Sequence, residues 1–215
     1  MTQPPQFTAR RSTRSPAATF ALGERLGHLL RSGDVVAFVG DLGAGKTQLI
    51  RGACRGARVP PEEVASPSYA IVASYHGRIP IHHADFYRIG DQDELYATGF
   101  FDLVGGDGAL LVEWPDRVPG ALPEERMEIC MAHHPRSFSV RRLEITGTGQ
   151  RHAELARSLV QGRRSGAKLR KRSGSRANSR TRIARGKAAR TRVGPSRRRG
   201  ARRGQPSPRA SPPAR

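Results

Sequence analysis

The sequence predicts an α/β fold, a three-layer sandwich with a mostly parallel sheet, followed by a disordered basic C-terminal tail. Three observations carry this. The short apolar runs Val35-Val36-Ala37-Phe38-Val39 and Ala109-Leu110-Leu111-Val112 have the pattern of strands buried on both faces. Segments with apolar residues at helical spacing alternate with strand-like ones. The first apolar run also leads through a glycine-rich turn directly into a helical segment.

Taken in order, residues 1–15 read as a disordered lead. Ser15 followed by Pro16 marks a helix start, a cap residue and then proline where its missing N–H costs nothing. Phe20, Leu22, Leu26, Leu29 and Leu30 carry that helix toward Gly33. After the strand at 35–39 and the glycine-rich turn, a second helix is expected over 46–57. Beyond Pro60-Pro61 comes a loop carrying Ser66-Pro67-Ser68-Tyr69, then strands over 70–75 and 79–84. Asp91-Gln92-Asp93-Glu94 has the form of a capping box opening a short helix. The apolar run at 109–112 ends at Glu113-Trp114-Pro115. Two more strands are expected over 127–132 and 139–145, and a last amphipathic helix over 150–160. The domain division is therefore 1–15 lead, 16–160 folded domain, 161–215 tail.

The chain has 215 residues and a net charge of +20, which alone would suggest a nucleic-acid-binding polypeptide. The charge is not evenly spread. Residues 161–215 hold 20 Lys plus Arg and no acid, so residues 1–160 hold 18 charges of each sign and are neutral. A segment so charged and so poor in apolar groups cannot bury enough surface to offset chain entropy. The remainder suits one domain with a single core. No run of about 18 apolar residues exists to span a membrane. Arg10, Arg11 and Arg14 are followed by no apolar stretch of the kind a secretory leader needs. Cys54 and Cys130, the only cysteines, are too few for a disulfide framework or a cysteine-built zinc site. A cytoplasmic, reduced protein is the expectation.

Gly40-Asp41-Leu42-Gly43-Ala44-Gly45-Lys46-Thr47 fits the Walker A pattern of Gly, four residues, Gly-Lys-Thr. The glycines let the backbone of Asp41, Leu42, Gly43, Ala44 and Gly45 curl its N–H groups around phosphate oxygens. The helix that follows adds its positive N-terminal end. Lys46 sets a point charge on the β- and γ-phosphates, and the Thr47 hydroxyl is suited to Mg²⁺. Lys46 is the only lysine among the first 160 residues. A chain that otherwise uses arginine keeps lysine where a compact ammonium fits and a guanidinium fork does not. Glu113, closing the second apolar run, has the place of a Walker B acid, within reach of the metal or its waters. Nucleotide phosphate binding follows, in a P-loop NTPase-like domain.

With Ser66-Pro67-Ser68-Tyr69, His83-Ala84-Asp85-Phe86-Tyr87-Arg88 and Glu113-Trp114-Pro115 standing after this turn, the chain resembles the bacterial TsaE (YjeE) family over residues 17–160. The resemblance implies a small ATPase of tRNA threonylcarbamoyladenosine synthesis. It acts with a TsaB–TsaD complex that performs the transfer to the adenosine 3′ to the anticodon. It implies ATP on the P-loop and Mg²⁺ held by Thr47 and Glu113. His83, Asp85, Tyr87 and Arg88 match one family motif. Asp85 has two readings there, orienting the attacking water or supporting the metal waters and Thr47; His83 reads as a strand-end histidine. Arg88 is placed either on Asp85 or on phosphate. Ser68 stands where the family has threonine and keeps the hydroxyl. Trp114 is open to three readings: a nucleotide contact, a partner-facing anchor or a packed aromatic. Thr19 matches a position near the nucleotide base, and Arg142 one near the ribose.

Two other classes compete. A P-loop small-molecule kinase needs a lid of arginines over the phosphates, whereas Arg51, Arg55 and Arg58 fall in or just after the P-loop helix. A nucleic-acid-binding protein acting through the tail leaves Lys46 and Glu113 without a role. The tail itself carries cations without an aromatic residue, enough for non-specific RNA contact but without a stacking platform.

Overall fold

The structure, a computed structural model, describes residues 4–67 and 70–161. Its elements are β1 (Gln6–Thr13), α1 (Pro16–Leu29), β2 (Val35–Val39), α2 (Lys46–Gly56), β3 (Val72–His76), β4 (Pro80–Asp85), α3 (Gln92–Ala97), β5 (Ala109–Glu113), β6 (Met127–His134), β7 (Ser137–Thr148) and α4 (Gln150–Gln161). The strands described form one sheet in the order β1-β7-β6-β2-β5-β4-β3. At its centre β6, β2, β5 and β4 run parallel, as the continuous apolar runs require. The outer pairs β1–β7, β6–β7 and β3–β4 are antiparallel, so the sheet as a whole is mixed.

Alternation along the central strands divides the core. Val36, Phe38, Ile81 and Leu111 face a layer containing α1, α2 and α4, where Leu26, Leu49, Ile50, Leu155 and Leu159 are buried. Val35, Ala84, Leu110 and Val112 face the other side, against Phe86, Ile89, Leu95 and Phe100. That second layer is thin, built from α3 and short 3-10 turns at Phe100–Leu103 and Pro115–Arg117.

The helix starts follow the expected chemistry. The Ser15 hydroxyl accepts from the Ala18 N–H at 3.1 Å, with Pro16 opening the helix. Asp91 accepts from the Glu94 N–H at 2.8 Å, while the Glu94 carboxylate reaches back to the Gly90 N–H at 2.8 Å.

The expectation of a disordered lead over residues 1–15 is overturned for residues 6–13. Residues 6–13 form β1, paired in register with β7 from Gln6↔Thr148 to Thr13↔Arg141. Arginines among small polar residues read as disorder, but at a sheet edge such residues sit comfortably in solvent. Phe7 supplies the apolar anchor: it packs against the helical-layer core, with the Arg157 guanidinium 5.0 Å from its ring centroid. The strand expected over 70–75 starts later, at Val72, because Ile71 takes a left-handed turn with φ 62°. Residues 162–215 and Ser68 lie outside the described residues, and with them the expectations for the tail and for the Ser68 hydroxyl.

Candidate functional site

The site stands where β2 ends. Gly40 has φ 139°, and a Cβ there would lie 2.1 Å from the Met131 carbonyl oxygen of β6, so only glycine can start the turn. The turn ends at Gly45, φ 102°, and α2 begins at Lys46. Arg141 of β7 binds the outside of this turn. Its Nε donates to the Ala44 carbonyl at 3.0 Å and its Nη2 to the Gly43 carbonyl at 3.3 Å.

Lys46 is buried. Its Nζ donates to the carbonyls of Gly40 at 2.6 Å and Asp41 at 3.0 Å, and lies 3.7 Å from the centroid of the Trp114 ring. Burial pulls the ammonium below its ordinary pKa, against the opposing pull of Glu113, Asp85, Asp116 and Asp41. Trp114 holds its ring there from a left-handed backbone position, φ 57° and ψ 47°, and stacks at a tilt on Tyr87 with centroids 5.1 Å apart.

Two buried acids lie beside α2. Residues at odd positions of β4 and β5 face that helix, so Ile81, His83 and Asp85 line up beside Leu111 and Glu113, with Asp85 paired to Glu113 in register. The Thr47 hydroxyl, in the first turn of α2, lies 2.8 Å from Glu113 Oε1 and 3.1 Å from Oε2. Asp85 accepts from the Ser66 hydroxyl at 2.5 Å and from the Tyr87 N–H at 3.0 Å. Lys46, Thr47, Ser66, Asp85, Arg88 and Glu113 line one open cleft of about 350 Å³.

Most of the expected site residues meet here: Gly43, Gly45, Lys46, Thr47, Asp85, Arg88, Glu113 and Trp114. Asp41 is exposed, and Leu42 stands out at the tip of the turn, 76% exposed, at the edge of the cleft. Ala44 is buried beneath it. Thr19 is buried too, its hydroxyl 2.7 Å from that of Thr13, and shares a small groove beside the turn with Gly45, Gln48 and Arg141. Two expectations are corrected. Arg142 lies outside the cleft, in a separate groove with Arg10, Cys130, His134 and Gly40, whereas its neighbour Arg141 is the arginine that donates to the carbonyls of the turn. His83 is not a bystander at a strand end, since it is wholly buried with Nε2 3.0 Å from Glu113 Oε1.

The arginines of α2 turn elsewhere. Arg51 donates to the Val64 carbonyl at 2.8 Å and Arg55 pairs with Glu24 at 3.4 Å, and neither lines the cleft. Among the described residues no group of three or more His, Cys, Asp or Glu is placed to hold a metal ion by itself. Thr47 and Glu113 nonetheless offer the hard oxygen donors that suit Mg²⁺, an ion that keeps waters and shares itself with phosphate.

A family model described as threonylcarbamoyl adenosine biosynthesis protein TsaE matches residues 13–142, a span that contains every residue of this cleft. The chain belongs to the TsaE family. Among similar proteins, the tRNA threonylcarbamoyladenosine biosynthesis protein TsaE of Treponema pallidum is 36% identical over 119 residues, 55% of this chain and 87% of that one. Its counterpart in Streptomyces coelicolor is 36% identical over 148 residues, 66% of this chain and 98% of that one. The crystal structure of Bacillus subtilis YdiB superposes with a TM-score of 0.59 at 28% identity, covering 72% of this chain and 95% of that one.

Proposed function

We propose that this chain binds ATP with Mg²⁺ in the cleft beside α2 and hydrolyses it in the service of tRNA threonylcarbamoyladenosine formation. The observation that carries the reading is the junction of Thr47 and Glu113 beneath the P-loop. A hydroxyl from the first turn of the P-loop helix and a carboxylate from the end of the adjacent parallel strand converge within 2.8 Å. That pairing is what a nucleotide-bound divalent ion needs from a protein.

The chain's own groups divide the work. Backbone N–H groups of the glycine-rich turn and the start of α2 receive the phosphates. The Lys46 ammonium exchanges its carbonyl partners for phosphate oxygens. Thr47 and Glu113 would hold Mg²⁺, which supplies charge neutralisation on the β- and γ-phosphates. Asp85, fixed by Ser66 and the Tyr87 N–H, accepts a hydrogen bond from the water that attacks the γ-phosphorus. The bond to the β-phosphate oxygen breaks, leaving ADP and phosphate. The groove at Thr19, Gln48 and Arg141 is suited to the nucleoside end.

In this reading the protein does not itself transfer the threonylcarbamoyl group. Leu42, 76% exposed, and Tyr87, 47% exposed, rim the cleft, so a partner of the TsaB–TsaD type can sense the nucleotide through them. Hydrolysis then resets that complex. The test is ATP turnover by the purified protein, alone and with the TsaB–TsaD pair. Turnover that rises with the pair supports the role, and no ATP binding under either condition overturns it.

A further inference from the structure

We propose that His83 is a positioning residue that fixes the Glu113 carboxylate for its metal-binding task; this rests on the reading of Glu113 as an Mg²⁺ ligand. His83 is wholly buried in β4, between Ile81 and Asp85 on the strand face toward α2. A carboxylate can only accept, so the 3.0 Å contact requires His83 Nε2 to carry the proton and donate it to Glu113 Oε1. The other ring nitrogen, Nδ1, has no hydrogen-bond partner among the described residues and is out of water. A buried imidazole with one unmet nitrogen costs stability. The hydrogen bond it makes to Glu113 offsets part of that cost.

The arrangement separates two functions of Glu113. Thr47 also reaches the carboxylate, but its hydroxyl has one proton, and its oxygen is the atom suited to the cation. The Thr47 contact is therefore one that loading the site rearranges. The His83 contact comes from a wholly buried side chain that is not among the residues lining the cleft. It anchors Oε1, which also takes the shorter Thr47 contact, while among the described residues Oε2 meets only the Thr47 hydroxyl, at 3.1 Å. Groups that orient a metal ligand in this way commonly contribute about 10- to 100-fold to metal affinity.

The experiment compares wild type with His83→Leu, which keeps bulk without a donor, and His83→Gln, whose side-chain amide can restore one. Binding of a non-hydrolysable ATP analogue is titrated by calorimetry at a series of Mg²⁺ concentrations, with thermal melting as the check on folding. His83→Leu is expected to need about tenfold more Mg²⁺ for half-maximal effect. Its analogue affinity without Mg²⁺ should match wild type, because the P-loop and Lys46 are untouched, and His83→Gln should recover most of the loss. A folded His83→Leu variant with wild-type Mg²⁺ dependence overturns the proposal. Should His83→Leu not fold, ¹⁵N chemical shifts of the wild-type imidazole decide. An Nε2–H tautomer with a slowly exchanging proton supports the proposal, and an Nδ1–H tautomer overturns it. Failure of wild type to bind the analogue at all would instead remove the nucleotide reading, and the tautomer measurement does not depend on it.

Discussion

At the residue scale, the proposed chemistry rests on one lysine, Lys46, and two buried acids, Asp85 and Glu113. Asp85 and Glu113 are neighbours in register, yet their surroundings differ, and the proposed roles differ with them. Glu113 meets the helix hydroxyl of Thr47, whereas Asp85 is fixed by Ser66 and the backbone of Tyr87 at the cleft wall. Asp85→Asn keeps the shape and removes the charged acceptor. It is expected to lower kcat for ATP by about 10²- to 10³-fold with nucleotide affinity within about threefold of wild type, read from steady-state kinetics and calorimetry. An equal loss of affinity and turnover would place Asp85 in binding instead. The motif residues were legible in the sequence because the P-loop and the acids are confined to fixed offsets from strand ends. The contact of His83 with Glu113 and the place of Arg141 were not. An arginine pair such as Arg141-Arg142 gives no sign of which member faces the turn until the strand's phase is known. A histidine two positions before Asp85 shares its face, but the sequence does not say that Glu113 waits there.

At the scale of elements, the P-loop is held by how closely α1 approaches α2. A Cβ on Gly52 would lie 2.1 Å from the Phe20 carbonyl oxygen, and one on Gly23 would lie 2.0 Å from that of Leu49. Backbone meets backbone at both points, so neither helix can yield by moving a side chain. Gly52→Ala is expected to destabilise the fold by about 1–3 kcal/mol or more, measured by denaturant unfolding. It should also weaken nucleotide binding, since α2 carries Lys46 and Thr47. The long periodic helices and continuous apolar strands were readable in advance, because burial on one face or two leaves its period in the sequence. β1 was not readable, because an edge strand anchored by one aromatic, Phe7, carries almost no apolar period. Its existence depends on β7, more than 120 residues away along the chain.

For the whole molecule, the net charge of +20 and the site belong to different parts of the chain. Among the described residues, those lining the cleft all fall in the neutral part. Among the described residues no helix is long and apolar enough to cross a membrane. Truncation after Gln161 is therefore expected to leave ATP affinity unchanged while flattening the salt dependence of RNA retention, read by filter binding over a range of ionic strength. ATP affinity that falls with the tail would tie that segment to the site. The central claim is that the P-loop and the Thr47–Glu113 junction form a working ATP site. It is tested most directly by ATP hydrolysis in the presence of the TsaB–TsaD pair, wild type against Lys46→Ala. Wild type should turn over ATP and Lys46→Ala should neither bind nor hydrolyse it; hydrolysis at the wild-type rate by Lys46→Ala would contradict the account.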